Sequence, residues 1–197
     1  MGNFQLWPRL TKLQSNKARK PPLAADPLKE PRTPMAKARS LQDLFLHLLK
    51  DMYYAEKQIL KALPRMAKKA DSNELRMAFE HHLRETEGQV ERLERVFSLC
   101  NEKASGKRCP AIKGILEEGQ EDMKDADTPD VLDASMIADA QAVEHYEIAR
   151  YGTLIAWAKQ LGLTDAAALL KQTLEQEYNA DKKLTQLAEE RLNREAA

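Results

Sequence analysis

LQDLFLHLLKDMYYAEKQILKALPRMA, residues 41–67, decides the fold. Its apolar residues Leu41, Leu44, Phe45, Leu48, Met52, Ala55, Ile59 and Leu63 recur every three or four positions, the spacing that lays one stripe along an α-helix. Ser40, just ahead, is a natural N-cap. Pro64 falls inside the pattern, yet Met66 and Ala67 carry the stripe onward, so the spacing predicts a kink there rather than an end. One residue on the line is out of character. The run Met52, Glu56, Ile59, Leu63 sets a carboxylate where a packed helix buries apolar side chains.

Three more long helices follow. Asp71, Ser72 and Asn73 make a turn, and Asp71 with Glu74 three positions later predicts a capping box. Leu75, Phe79, Leu83, Val90, Leu93 and Phe97 then carry a second helix to about Cys100. After a loop with Gly106 and Pro110, residues 110–124 read as a short connecting helix. Thr128 and Pro129 cap and open the third long helix, whose stripe is Ile137, Ala140, Ile148, Tyr151, Leu154, Ile155 and Ala158, and Gly162 stops it. Thr164 is expected to cap the last helix, which runs through Ala167, Leu170, Leu174, Leu184 and Leu187. Two tight turns make two antiparallel hairpins, and the long connection between them lets one dock across the other. The expected fold is an all-α, ferritin-like antiparallel four-helix bundle over residues 41–194, with one long crossover containing a short helix.

The first 40 residues differ. Pro8, Pro21, Pro22, Pro27, Pro31 and Pro34 lie among scattered Lys and Arg with no apolar period, which predicts a disordered, basic leader. Met35, just before the periodic region, offers a second start, with the first 34 residues as an upstream extension. Residues 1–34 hold seven Lys or Arg and two acids, a net of +5. The whole chain is formally neutral, so the remainder carries −5, which argues against nucleic-acid binding by the folded domain. No window approaches the run of about 18 apolar residues that a membrane span needs, and no secretory signal is visible. A cytoplasmic protein is expected. Cys100 and Cys109 lack a second pair to complete a zinc site and read as ordinary thiols near helix ends.

Glu56 is not alone. Glu144 and Glu147 interrupt the third stripe between Ala140 and Tyr151, and Glu177 and Asp181 interrupt the fourth between Leu174 and Leu184. The second helix adds His82 and Glu85, with Thr86 and Gln89 polar on or beside the line. The acids also agree in height. Glu56 and Glu85 stand at similar distances from the first turn, as do Glu147 and Glu177 from the second, about 20 Å away at the rise of a helix. A single acid on a stripe snorkels to water; acids from four helices at one level compete for the same counter-charge. Close carboxylates cannot all stay ionised unaided, and two divalent cations among them relieve the repulsion. Oxygen-rich ligation with one imidazole suits iron or manganese better than zinc. The candidate ligands are Glu56, His82, Glu85, Glu144, Glu147, Glu177 and Asp181, for two Fe or Fe/Mn ions. His47, His81 and His145 fall off the stripes and are expected at the surface, while Tyr53, Tyr146, Tyr178 and Trp157 are expected to pack.

With FEHHLRETEGQVERLERVF (79–97), AQAVEHYEIARYGTLIAWAKQLG (140–162) and EQEYNADKKLTQLA (175–188), the opening stretch resembles the bacterial YciE/YciF-like ferritin-like stress proteins over about residues 40–190. The resemblance implies a rubrerythrin-like fold, homodimers and an association with stress responses. It matches Glu56 to the first-helix ligand, Glu144 and Glu147 to the Glu-x-x-Glu of the third helix, and Glu177 to the fourth-helix acid. Where rubrerythrin-like helices carry Glu-x-x-His, this chain has Thr86 and Gln89 in the second helix and Ala180 after Glu177 in the fourth. His82, Glu85 and Asp181 are the residues that could substitute from adjacent positions.

The expectation is a dimeric di-iron or iron-manganese protein that protects against a small oxidant, oxygen or peroxide. The sequence singles out no catalytic residue, and without a rubredoxin-type cysteine pair no internal electron carrier is expected. The alternative is a dimeric helical structural or interaction protein that has lost tight metal binding. A mini-ferritin cage ranks third.

Overall fold

In the computed structural model, which describes residues 38–197, Ser40 opens helix α1 (Leu41–Lys69) by accepting the Asp43 amide on its Oγ at 3.0 Å. Most of the expected leader, up to residue 37, lies outside the described residues. α1 continues through Pro64 and buries Phe45, Leu49, Met52, Ala55, Ile59 and Leu63 on one side.

The second helix, α2 (Asn73–Leu99), starts differently from the sequence reading. Ser72, not Asp71, is the N-cap: its Oγ accepts the Leu75 amide at 3.3 Å and lies 3.1 Å from Glu74 Oε2. The backbone leaves Ser72 in an extended conformation, so the capping side chain is one position later than predicted. Asp71 serves the turn only through its backbone. The amides of Asp71 and Ser72 donate to Asp133, 3.0 and 2.7 Å away on another helix.

The crossover contains α3 (Pro110–Asp125) and is tied to α1 where the Lys107 amide donates to the Lys50 carbonyl at 3.1 Å. Gly119 lets α3 sit close to the next helix, since a methyl group there would come within 3.1 Å of Asp139. Thr128 caps α4 (Pro129–Gln160) as expected, accepting the Val131 amide at 3.3 Å. At the other end Gly162 takes φ +74°, and the Leu163 amide returns to the Ala158 carbonyl at 2.9 Å, a Schellman ending that favours glycine. Thr164 does not cap α5 (Thr164–Leu187). It is already the first helical residue, and no side chain closes that end, because the chain leaves the Schellman turn directly into helical geometry. The C-terminus finishes with a π turn at Ala188–Leu192 and a last turn, α6 (Asn193–Glu195).

α1 lies beside α2 and α4 beside α5, while α2 against α5 and α1 against α4 close the ring; α3 lies on α4. This is the expected all-α bundle of two hairpins with a long crossover. Its core is filled by Phe45, Leu49, Met52, Leu75, Phe97, Met136, Leu154 and Ala158, among others, all sealed from solvent. Among the described residues no helix is long and apolar enough to cross a membrane. Tyr178, expected to pack, is 54% exposed, because it follows the buried Glu177 by one residue and so turns about 100° away from the core.

Asp133 is 2% exposed and ties the first turn to α4. Asp133→Ala strands the Ser72 amide in the interior and should lower the unfolding free energy by about 2 kcal/mol, read from urea melts of the metal-free protein.

Candidate metal centre

Each long helix delivers a polar side chain to one level of the core. Glu56 comes from α1, His82 and Gln89 from α2, Glu144 and Glu147 from α4, and Glu177 from α5, all of them buried. The i, i+3 spacing of Glu144 and Glu147 keeps both on the inward face of α4. His82, Glu144, Glu147 and Glu177 each offer one donor atom such that all four atoms lie within 4.8 Å of one another. His82 Nε2 is 3.2 Å from Glu144 Oε1 and 3.8 Å from Glu177 Oε2. Glu56 adjoins this group, facing Glu147 and Glu177 and accepting the Tyr151 hydroxyl.

Five of the seven candidate ligands therefore share one space. The other two stand apart from it. Glu85 is at one remove, 3.7 Å from His82 Nδ1 and 3.5 Å from His81 Nε2, with its side chain 19% exposed. Asp181 lies on the flank, where it accepts the Gln141 amide at 3.0 Å and meets His145 Nε2 at 3.2 Å. His81 and His145 are exposed as expected. His47 is half-buried, held between Asp51 at 3.2 Å and Lys107 Nζ at 3.4 Å.

Thr86 and Gln89 occupy the positions where the resemblance would have a Glu-x-x-His. Thr86 turns its hydroxyl back to the His82 carbonyl at 2.9 Å, and Gln89 donates its amide to Glu177. Sequence reasoning missed two contributors. Tyr151 belongs to the apolar stripe by spacing, yet it lies four residues after Glu147 on the same face, a spacing that marks its hydroxyl as a neighbour of the acids. Arg92, three residues after Gln89, reaches Gln176 and Thr173, the latter at 3.0 Å, and places a positive charge near Glu56 and Glu177.

The electrostatics follow from burial. Loss of water pushes the carboxyls of Glu56, Glu144 and Glu147 well above their ordinary value of 4.5, and the neighbouring carboxylates add to the shift. Burial also raises Glu177, opposed by His82, a hydrogen bond to Glu144 and Arg92. Tyr151 is raised by burial and then by the charge of Glu56. Hydrogen bonding is incomplete in the same place. Glu56 Oε2, Glu144 Oε2, both Glu147 oxygens, Glu177 Oε2, both His82 nitrogens and Gln89 Oε1 lack a hydrogen-bond partner; among the described residues, no other buried side-chain nitrogen or oxygen does. Folded proteins rarely leave such atoms orphaned. A hard divalent cation is the kind of partner that carboxylate oxygens plus one imidazole fit.

A cavity of about 460 Å³ between α2 and α5 reaches this group, with His82 and Glu144 in its wall. Leu63, Phe79, Ala140 and Leu184 make its sides largely apolar, and Met77 and Lys183 stand at its mouth.

Residues 40–197 match the family described as Domain of unknown function (DUF892). Protein YciF of Escherichia coli K12 is 46% identical over 159 residues, which is 80% of this chain and 96% of that protein. Two solved structures superpose with a TM-score of 0.74. One is YcfI from Rhodopseudomonas palustris, 49% identical, covering 75% of this chain and 94% of its own. The other is the crystal structure of the E. coli stress protein YciF, 47% identical, covering 77% and 96%. A Xanthomonas campestris protein, 23% identical with a TM-score of 0.61, shares the fold.

Raised carboxyl pKa values mean that the metal-free folded protein binds more protons than the unfolded chain at pH values above 4.5. Its stability should therefore fall as pH rises from there toward neutrality. Melting in EDTA across this range should show the decline, and Glu147→Gln, which keeps the shape without the charge, should flatten it. A slope unchanged by Glu147→Gln would contradict the assignment.

Proposed function

The chain belongs to the DUF892 family, and on that footing we propose that its core carboxylates hold two divalent ions, iron or iron with manganese, in a protein that guards the cell under stress. The observation that carries this reading is the concentration of orphaned buried donor atoms at one level of the bundle. His82, Glu144 and Glu177 make one oxygen-and-nitrogen set, and Glu56 makes the other pole. Glu147, beside Glu56 and Glu144 and with neither oxygen held by a donor from the rest of the bundle, would complete the ligand set.

Bound iron or manganese supplies Lewis-acid and redox chemistry toward a small oxidant such as oxygen or peroxide. The chain's own residues set the conditions. Gln89 holds Glu177 by its amide, and Tyr151 holds Glu56 by its hydroxyl, so each ligand keeps one oxygen fixed and one free. Arg92 balances part of the negative charge from outside the group. The cavity beside His82 and Glu144 gives ions and small molecules a path inward. YciF is described as a stress protein, and its likeness over most of this chain is what suggests the physiological setting. We extend the proposal to a homodimer, whose mass in sedimentation would also separate it from an iron-storing cage.

Thr86, Gln89 and Ala180, none of them a strong ligand, favour the second reading, a helical structural or interaction protein without tight metal binding. Metal analysis of protein purified without chelator decides between the two. The first requires about two iron or manganese ions per chain, lost in Glu144→Ala and Glu56→Ala. Removing the metal with EDTA should then lower the melting temperature by about 10 °C, the effect of ligand near a thousandfold above its dissociation constant on a domain of this size. Substoichiometric metal and melting indifferent to EDTA would establish the second.

A further inference from the structure

We propose that the cavity between α2 and α5 binds a small amphipathic monocarboxylate, its apolar body inward toward His82 and Glu144 and its carboxylate outward on Lys183. This names a ligand class for the site described above. Only the meeting of its inner end with metal rests on that reading; binding to the cavity does not.

The volume, about 460 Å³, falls within the roughly 300–1,000 Å³ common for small-molecule sites. A small residue helps to keep the space open. Ala180 lies three positions after Glu177 on the same face of α5 and lines the cavity. A larger side chain there would project into the space; alanine leaves it open. Leu63, Phe79, Ala140 and Leu184 continue the lining, and a chamber with such walls gains from an apolar occupant.

Charge sets the orientation. Glu144 is in the inner wall and Glu177 stands beside it, within the group of close donor atoms, so an anionic head is repelled from that end. At the mouth, each acid already has a cationic or imidazole partner. Glu74 meets Arg191 at 2.9 Å, and Glu85 meets His81 at 3.5 Å. Lys183 is exposed at the same rim, near enough to Glu74 to help lower its carboxyl; with Arg191 already paired to Glu74, Lys183 supplies the cation for an incoming carboxylate. Met77, 60% exposed beside it, gives the first part of the chain an apolar surface to cross.

Isothermal titration of the full chain with sodium decanoate and with decanol, before and after EDTA treatment, tests the idea. Saturable binding of decanoate, one per chain, is expected in both forms. Ala180→Phe should abolish it while the melting of the EDTA-treated protein stays as in the parent. Lys183→Glu, a surface change that leaves folding intact, should weaken decanoate by about tenfold and leave decanol unchanged. Absence of saturable binding overturns the proposal, as does decanoate binding indifferent to Lys183→Glu. Metal uptake without decanoate binding sinks this proposal alone. Decanoate binding by a protein that takes up no metal sinks the metal reading and leaves the cavity assigned.

Discussion

Four buried carboxylates at one level of the core are the constraint around which the bundle is arranged. An isolated ionised carboxylate costs far more to bury than any single core contact returns. Glu56, Glu144, Glu147 and Glu177 are nevertheless as buried as the leucines around them. Protons, fixed protein charges or bound cations must therefore share the task of neutralising them. The chain supplies only a fraction itself, through Arg92, the hydroxyl of Tyr151 and the amide of Gln89. What is left over is a set of oxygens and imidazole nitrogens without hydrogen-bond partners.

The helices contribute unequally. α4 supplies two acids, α1 and α5 one each, and α2 a histidine and a glutamine. On α2, apart from His82, the polar residues near the group are donors or are turned away: Gln89 donates, and Thr86 is occupied with its own backbone. The asymmetry makes one side of the group rich in free oxygen and the other a hydrogen-bonded wall. The open cavity adjoins His82 and Glu144, away from Gln89, which is not part of its lining.

Much of this was legible in the residues. Stripe periodicity located every long helix, because burial of one face imposes the 3.6-residue period regardless of what the helix meets. The interruptions of those stripes at Glu56, Glu144, Glu147 and Glu177 marked the inward acids, since period and exposure conflict there. His82 stood out for the same reason. Asp181 and Glu85 satisfied the same pattern but lie off the shared space, for a position within about one turn of the centre line does not reveal which way a side chain bends. Asp181 bends toward Gln141 and His145 on the neighbouring helix, partners no single-helix pattern contains. The same limit hid Asp133, whose hydrogen-bond donors belong to a turn some sixty residues earlier. Cap residues were misplaced by one position at Asp71 and Thr164, because several polar neighbours compete at a helix start and only the backbone angles decide.

That link from Asp133 to the first turn has a temporal side. The amides of Asp71 and Ser72 find their acceptor only on α4, so a chain emerging from the ribosome closes its first hairpin without the group that completes it. That corner is complete only once residue 133 has been made, so a chain cut short before it leaves both amides without the acceptor they have in the full fold.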